Sequence, residues 1–458
     1  MEDVPEDQAQ AWLDDKVERI VVVMLENRSF DHMLGYLSLE GHPVDGLRSG
    51  LSNGFRGGSF PIHRLERTAF EKLEDPCHHG DCVERQLEGV DEQLATGEMG
   101  GFVADYAEHR PDEADWSIVM GYYDGSQLPA FDHLAREFCV CDRWFCSVPG
   151  ATWPNRLYAL AGHSGKRRDN RWLPLYDLES FARHLDHAGV DWSWYSSDPG
   201  SLRAVDGNYR FSHHERFAHF DKRSGEQGRN FLDDAEQGLL PRVSWIDPNF
   251  LVRLPGGPPG SNDDHPPSDV RHGQEFVLKI YDALRRSKQW DKTLLIVTYD
   301  EHGGFFDHVK PPPVAPADPM PYGPRVPSLV VSPYVGRGSV SSKVYDHTSI
   351  IKTILSRFCR TGGKPPSMTV RIDNARHLGE LLSEDVARHP EPIAPADGWA
   401  PRVFAGEPLV EDLADPSTFD RLRALADSLS RGEVNDLQAG MLELALALRA
   451  GGLPPGHP

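Results

Sequence analysis

The chain has 458 residues, 39% of them hydrophobic and 26% charged, and a formal net charge of −22 at pH 7. That length can bury a large core in one big domain with an appendage, or in two to three smaller ones, and the composition suits a soluble globular enzyme rather than a disordered chain. The negative charge argues against a nucleic-acid partner, because gripping a phosphate backbone needs a clustered Lys/Arg face.

The N-terminus, Met1-Glu2-Asp3-Val4-Pro5-Glu6-Asp7, is acidic where a signal peptide is basic, and no apolar segment is long enough to span a bilayer. The expectation is a cytoplasmic protein, with non-classical export left open. Ile20-Val21-Val22-Val23-Met24-Leu25 reads as a buried strand that runs straight into Glu26-Asn27-Arg28-Ser29-Phe30-Asp31-His32. Six cysteines in this length make no disulfide scaffold. Cys77 and Cys82, with His78 and His79 between them, and the group Cys139, Cys141 and Cys146 invite a zinc reading. No repeated C-x2-C spacing accompanies them, so reduced, buried thiols are expected.

Ser147-Val148-Pro149-Gly150-Ala151-Thr152-Trp153-Pro154-Asn155-Arg156 sets a hydroxyl among small residues, with prolines on both sides to fix the turn. A hydroxyl becomes a nucleophile when a base draws off its proton or a metal holds its oxygen. With no Ser-His-Asp elbow in sight, metal activation is the simpler route. Asn155 and Arg156 either meet the substrate or are structural, an amide holding the turn and a guanidinium pairing with an acid.

Val190–Tyr195 and Val243–Ile246 are further short strands. The Gly/Pro-rich stretches at 254–268 and 310–327 are irregular, either walls of a cleft or plain surface connections. Phe276, Val277, Ile280, Tyr281 and Leu284 have helical spacing and lead into a strand, Thr293–Tyr299, that stops at Asp300-Glu301-His302-Gly303-Gly304-Phe305-Phe306-Asp307-His308. Val326–Ser332 is the next buried strand and Thr348–Phe358 the next helix. Beyond a linker at 389–401, Phe419, Leu422, Leu425 and Leu429 mark one amphipathic helix, and Val434, Leu437, Met441, Leu444 and Leu448 a second. Such a hairpin most often packs on its own domain, with dimerisation or a lipid surface as alternatives. The division expected is 1–385 for the catalytic part and 386–458 for the linker and helical hairpin.

Two strands, one near each end of the chain, thus each deliver a pair of oxygen ligands. Ligands bind beyond the carboxyl ends of strands in open parallel sheets, where both pairs can converge, and paired hard oxygen donors suit a divalent cation. Polar residues routinely follow buried strands for no functional reason; finding two such pairs, each followed by aromatic, histidine and acidic residues, favours the ligand reading.

Glu26-Asn27-Arg28-Ser29-Phe30-Asp31-His32-Met33-Leu34-Gly35, Thr152-Trp153-Pro154-Asn155-Arg156, Asn262-Asp263-Asp264-His265-Pro266 and Thr298-Tyr299-Asp300-Glu301-His302-Gly303-Gly304 together resemble the phosphoesterase family of bacterial phospholipases C, plant non-specific phospholipases C and acid phosphatase A. The resemblance runs from about residue 18 to 360. It implies an alkaline-phosphatase-like α/β sandwich with a mostly parallel central sheet flanked by helices, to which the C-terminal helices are an appendage. It also implies one divalent metal, Ca, Zn, Fe or Mn, on Glu26, Asn27, Asp300 and Glu301, with Thr152 as a nucleophile touching the same ion. Asp75-Pro76-Cys77-His78 and Asp346-His347-Thr348-Ser349 match two further motifs, so His78, His265 and His347 are implied as catalytic, with His302 and His308 supporting residues. The chain departs from secreted bacterial members in lacking their twin-arginine signal. The leading reading is a phospholipase C acting on a phospholipid or other phosphoester through a phosphothreonine, with peripheral contact to a lipid surface left open. The alternative is a broad-specificity phosphomonoesterase using the same residues, and a non-catalytic lipid- or phosphate-binding module is a distant third.

Overall fold

The computed structural model describes residues 4–70, 75–88, 99–113, 115–171, 173–221, 228–250, 261–314, 320–393 and 436–451. Its centre is an eight-stranded sheet. In chain order the strands are β1 (Arg19–Leu25), β2 (Cys139–Cys141), β3 (Trp192–Ser196), β4 (Phe217–His219), β5 (Val243–Ile246), β6 (Thr293–Tyr299), β7 (Ser328–Val331) and β8 (Ser339–Ser341). Their spatial order is β8-β2-β7-β6-β1-β5-β3-β4, and only β7 runs against its neighbours. This is the mostly parallel α/β sheet that the sequence predicts. β1 is apolar from Ile20 to Leu25 and β6 from Leu294 to Val297, because each is covered on both faces, as strands of parallel sheets are.

The helices that matter here are α1 (Thr152–Ala161), α2 (Val270–Arg286), α3 (Thr348–Phe358) and α4 (Asp436–Ala450). Asp269 caps α2 by accepting from Arg271 N, and its buried stripe includes Phe276, Val277, Ile280, Tyr281 and Leu284, the residues whose spacing marked it. α3 packs on α1, while α2 packs against other helices. Met441, Leu442, Leu444, Ala445 and Leu448 of α4 join the same core cluster as the sheet. The helix expected at Phe419–Leu429 lies outside the described residues. No helix among the described residues is long and apolar enough to cross a membrane.

What positions the site is the pairing of β1 with β6. Their register sets Leu25 opposite Tyr299, so the residues that follow, Glu26-Asn27 and Asp300-Glu301, leave the sheet side by side. Backbone bonds extend the ladder past the strand ends: Asp300 N donates to Leu25 O (3.1 Å) and Arg28 N to Glu301 O (3.0 Å). Ile296, at the middle of β6, is fully buried. Ile296→Ala therefore should cost about 2–5 kcal/mol of stability. Urea unfolding should show a lower midpoint with an unchanged m-value; a wild-type midpoint would contradict this account of the core.

Candidate active site

Four segments meet at the carboxyl edge of β1 and β6. Asn27 has a positive φ of 58°, which asparagine tolerates better than most residues, and this turns its side chain back across the sheet edge. Its backbone N donates to Asp300 Oδ1 (3.1 Å). The turn is closed by Gly303, whose φ is 65° and whose added Cβ would stand 2.0 Å from Asn27 O. No side chain fits there.

Thr152 is the first residue of α1, and its hydroxyl lies 3.4 Å from Glu26 Oε2 and 3.3 Å from Asn27 Oδ1. Arg156, one turn further along the same helix face, donates from Nε to Glu26 Oε1 (2.8 Å) and from Nη2 to Met24 O (3.0 Å). It also lies 3.6 Å from Asp300 Oδ2 and 3.7 Å from Asp247 Oδ1. Asp247 follows β5, which neighbours β1. One guanidinium thus touches acids at the ends of three adjacent strands. Of the two roles open to Arg156 in the sequence, the geometry is that of the pairing one. The same holds for Asn155: Nδ2 donates to the Val148, Gly150 and Ala151 carbonyls at 3.0–3.2 Å and Oδ1 accepts from Val148 N, so its amide is committed to the turn instead of to a substrate. Gly150 too is small for packing, since a Cβ there would stand 2.1 Å from Arg168 O.

The histidines divide. His265 Nδ1–H donates to Pro266 O (2.7 Å), leaving Nε2 to face Asn27 Nδ2 at 3.0 Å. The His78 ring lies 3.4 Å from the same amide, its Nδ1 4.0 Å from Glu301 Oε1. These two rings bracket Asn27 edge to face, with centroids 5.7 Å apart. His347 differs from expectation. It is fully buried, its Nε2–H donates to Asp300 O (2.6 Å), and its Nδ1 accepts from Trp144 Nε1–H (3.3 Å). Burial holds its pKa down at about 4. With both nitrogens engaged it braces the end of β6 and has no donor left for a phosphoryl oxygen. His302 sits behind Glu301, 3.2 Å from Oε2, and is fixed by Gln86. His308 instead belongs to a separate cluster with Asp31, Asp307 and Asp45, to which Arg325 supplies the cation. Ser147 is tied to Asp346 and to the backbone of His347.

The acids are short of positive charge. Burial pushes the Glu26 carboxyl well above the usual carboxylate range, with Arg156 opposing and Asp300 adding to the rise. Asp300 is raised by burial, against Arg156 and with Glu301 adding to it, and burial lifts Asp263 to about 6. Asp300 Oδ2, Glu301 Oε1 and Asp263 Oδ2 are buried without a hydrogen-bond donor. Orphaned hard oxygens beside a surplus of carboxylate fit a divalent cation. Among the described residues, two other groups have metal-like spacing but lack that need. Asp31, Asp307 and His308 already hold Arg325, and in the group Cys77, Cys82, Asp105 and His109 the two sulfurs are bonded to each other.

That bond corrects the expectation of reduced thiols at 77 and 82. Cys77 and Cys82 form a disulfide around His78, whereas Cys139, Cys141, Cys146 and Cys359 are free and buried. Sequence reasoning also missed Asp247, Gln86 and Trp144. Only Asp247 carried a signal, an acid directly after a short apolar run.

The Phosphoesterase family pattern matches residues 17–359. Non-specific phospholipase C6 of Arabidopsis thaliana is 34% identical over 373 residues, covering 75% of this chain and 68% of that protein. Phospholipase C B of Mycobacterium tuberculosis is 31% identical over 433 residues, covering 83% and 80%. Among solved structures, a protein in the alkaline phosphatase superfamily from Vibrio parahaemolyticus superposes with a TM-score of 0.36 at 12% identity, covering 94% of this chain and 98% of that one.

Arg156 is the counter-ion that makes the buried acids tolerable. In metal-free protein Arg156→Met should cost about 3–5 kcal/mol, because a buried ion pair that loses one partner leaves charge uncompensated. Arg156→Lys should recover part of this loss, keeping the charge without the fork. Urea titration of the three proteins provides the check, and a Met variant as stable as wild type would overturn the assignment.

Proposed function

The chain belongs to the phosphoesterase family and is a phosphoric ester hydrolase, and we propose that it acts as a phospholipase C, cleaving a glycerophospholipid to diacylglycerol and a phosphorylated headgroup through a covalent phosphothreonine at Thr152. One observation carries this reading: a threonine hydroxyl at a helix start lies within 3.4 Å of two oxygen donors delivered by a strand from a distant part of the chain. The likeness to phospholipases C of a plant and a bacterium supports it.

Glu26, Asn27, Asp300 and Glu301, together with Thr152, would hold one divalent ion. When bound, such an ion supplies positive charge to the nucleophilic oxygen and to the phosphoryl oxygens. Everything else is the work of side chains already in position. Phosphoryl transfer asks mainly for alignment and charge stabilisation. α1 aims the Thr152 oxygen out of the turn that Asn155 holds, and Arg156 locks that helix to the sheet. Glu26 is the nearest carboxylate to take the hydroxyl proton. His78 and His265, bracketing Asn27, are the groups that hand a proton to the leaving alcohol and then take one from the water that hydrolyses the phosphothreonine. His347 and Gly303 keep the acid-bearing turns in register.

A monoester dianion carries one more charged oxygen than a diester and rewards extra cationic donors around it. Arg28 and Arg156, the basic residues nearest the motifs, are buried and largely committed: Arg156 donates to Glu26, and Arg28 donates from Nε to Asp264 O and pairs through Nη1 with His32, only its Nη2 lacking a hydrogen-bond partner. This favours the diester. Purified protein should therefore be more efficient on a short-chain phosphatidylcholine than on p-nitrophenyl phosphate at neutral pH, with phosphatidylethanolamine and sphingomyelin defining the headgroup range. A tenfold preference for the monoester, about 1.4 kcal/mol in the transition state, would move the assignment to the phosphomonoesterase. Thr152→Ala should abolish turnover on every substrate while leaving the circular dichroism unchanged; near wild-type rates in that variant would exclude the covalent route.

Metal content is measured separately. Elemental analysis should find about one divalent ion per chain, lost in Asp300→Ala, with activity removed by chelator and restored by metal. Turnover indifferent to chelator in a protein free of metal would sink the metal assignment.

A further inference from the structure

The Cys77–Cys82 disulfide closes a loop of sequence separation 5 that carries His78, and the helix that holds Cys82, Gly80–Glu88, also carries Gln86. Both residues reach the acids. His78 Nδ1 stands 4.0 Å from Glu301 Oε1. Gln86 Oε1 accepts from His302 Nε2 (2.7 Å), whose other nitrogen lies 3.2 Å from Glu301 Oε2, while Gln86 Nε2 donates to Cys77 O (2.7 Å). Cys77 O also approaches the DEHGG turn, since a Cβ on Gly304 would stand 2.7 Å from it. The disulfide loop is thus pressed against the turn that presents Asp300 and Glu301.

The sulfurs do not sit in a neutral environment. Arg85 Nη2 lies 3.3 Å from Cys82 Sγ, and His109 Nε2 lies 3.6 Å from it, with His109 Nδ1–H donating to Asp105 O (2.9 Å). Asp105 takes part of the arginine's charge, accepting from Nε at 2.9 Å. Cys77 is half-buried and Cys82 buried, while the arginine and histidine beside them are roughly a third exposed, at 31% and 37%. A cationic group beside one sulfur stabilises it as a thiolate leaving group, and a short loop removes little entropy from the unfolded chain, so this bond is poorly suited to be a structural staple.

We propose that Cys77–Cys82 is a redox-active disulfide, opened by a dithiol reductant, whose state sets the activity of the phosphoesterase site. A reductant thiolate attacks Cys77 Sγ; the Sγ–Sγ bond breaks, and Cys82 leaves as a thiolate beside Arg85. The reductant's second thiol then displaces Cys77, giving two protein thiols and one oxidised reductant, a transfer of two electrons and two protons. Opening slackens the segment that holds His78 and Gln86 to Glu301. The effect on turnover rests on the phospholipase reading of the site; the opening itself does not.

The test equilibrates the whole protein in buffers of reduced and oxidised dithiothreitol, quenches samples with iodoacetamide for mass spectrometry, and in parallel measures hydrogen exchange and turnover of short-chain phosphatidylcholine. Cys77 and Cys82 should become alkylated in a single transition while Cys139, Cys141, Cys146 and Cys359 stay protected. Exchange in 299–304 should quicken over the same range. Turnover should fall about tenfold or more, short of the roughly hundredfold loss that removing one acid–base group outright would cause, and return on reoxidation. Arg85→Gln should move the midpoint to more reducing potentials and leave the oxidised enzyme's rate unchanged. Cys77→Ser/Cys82→Ser should match the reduced protein in exchange and rate and ignore the buffer. The proposal fails if both cysteines are alkylated with exchange in 299–304 and turnover unchanged, or if they resist reduction until circular dichroism reports unfolding. Should the oxidised protein hydrolyse no phosphoester, the function reading falls, while alkylation and exchange still decide whether the disulfide governs the acid turn.

Discussion

One guanidinium organises the whole site. Arg156 reaches the ends of β1, β6 and β5 through Glu26, Asp300 and Asp247, and it stands one helical turn from Thr152. Because residues four apart on a helix share a face, anchoring Arg156 to the sheet also fixes the hydroxyl over Glu26 and Asn27. The interaction therefore has two consequences that cannot be separated: it tempers a cluster of buried carboxylates and it sets the position of the Thr152 hydroxyl. The other supporting contacts act beside it: the Asn155 amide holds the turn that precedes Thr152, and the His347 ring braces the end of β6.

The cost of that arrangement is visible in the acids themselves. Orphaned oxygens on Asp300, Glu301 and Asp263 would be a poor choice for a protein selected only to be stable. Local rules of good packing are broken here and kept elsewhere, the pattern of a site held in readiness by its scaffold. By contrast, the cluster of Asp31, Asp307 and His308 is balanced by Arg325 and looks like structure alone.

The strands that matter most were legible because burial on both faces writes an unbroken apolar run. Thr293–Tyr299 and Val243–Ile246 match the residues expected, and β1 begins one residue earlier, at Arg19. The same doubly buried pattern hides direction, so nothing in Val326–Ser332 announced that β7 would run antiparallel. The three-residue strands β2, β4 and β8 are too short for any period to show. At the site, the acids were readable as strand-end residues, and Asp247 obeys the same rule as Glu26 and Asp300. The partners of His347 and Asn155 were not readable, since they depend on turns whose path is set by tertiary contacts such as Gly150 against Arg168. The disulfide escaped for a related reason: a pair of nearby cysteines has the same spelling whether it binds metal, stays reduced or closes a loop.

The side-by-side exit of β1 and β6 joins residues 273 positions apart, Asn27 and Asp300. During synthesis Glu26 and Asn27 leave the ribosome long before Asp300 and Glu301 exist, and Arg156 emerges after Glu26 but before β6, whose Asp300 it pairs with. Contacts between such distant parts of a chain form late and slow the search for the native state. The cluster of strand-end acids is therefore incomplete for most of the chain's elongation. The acid cluster around Arg156 is completed as a unit, when the strand ending at Tyr299 inserts beside β1.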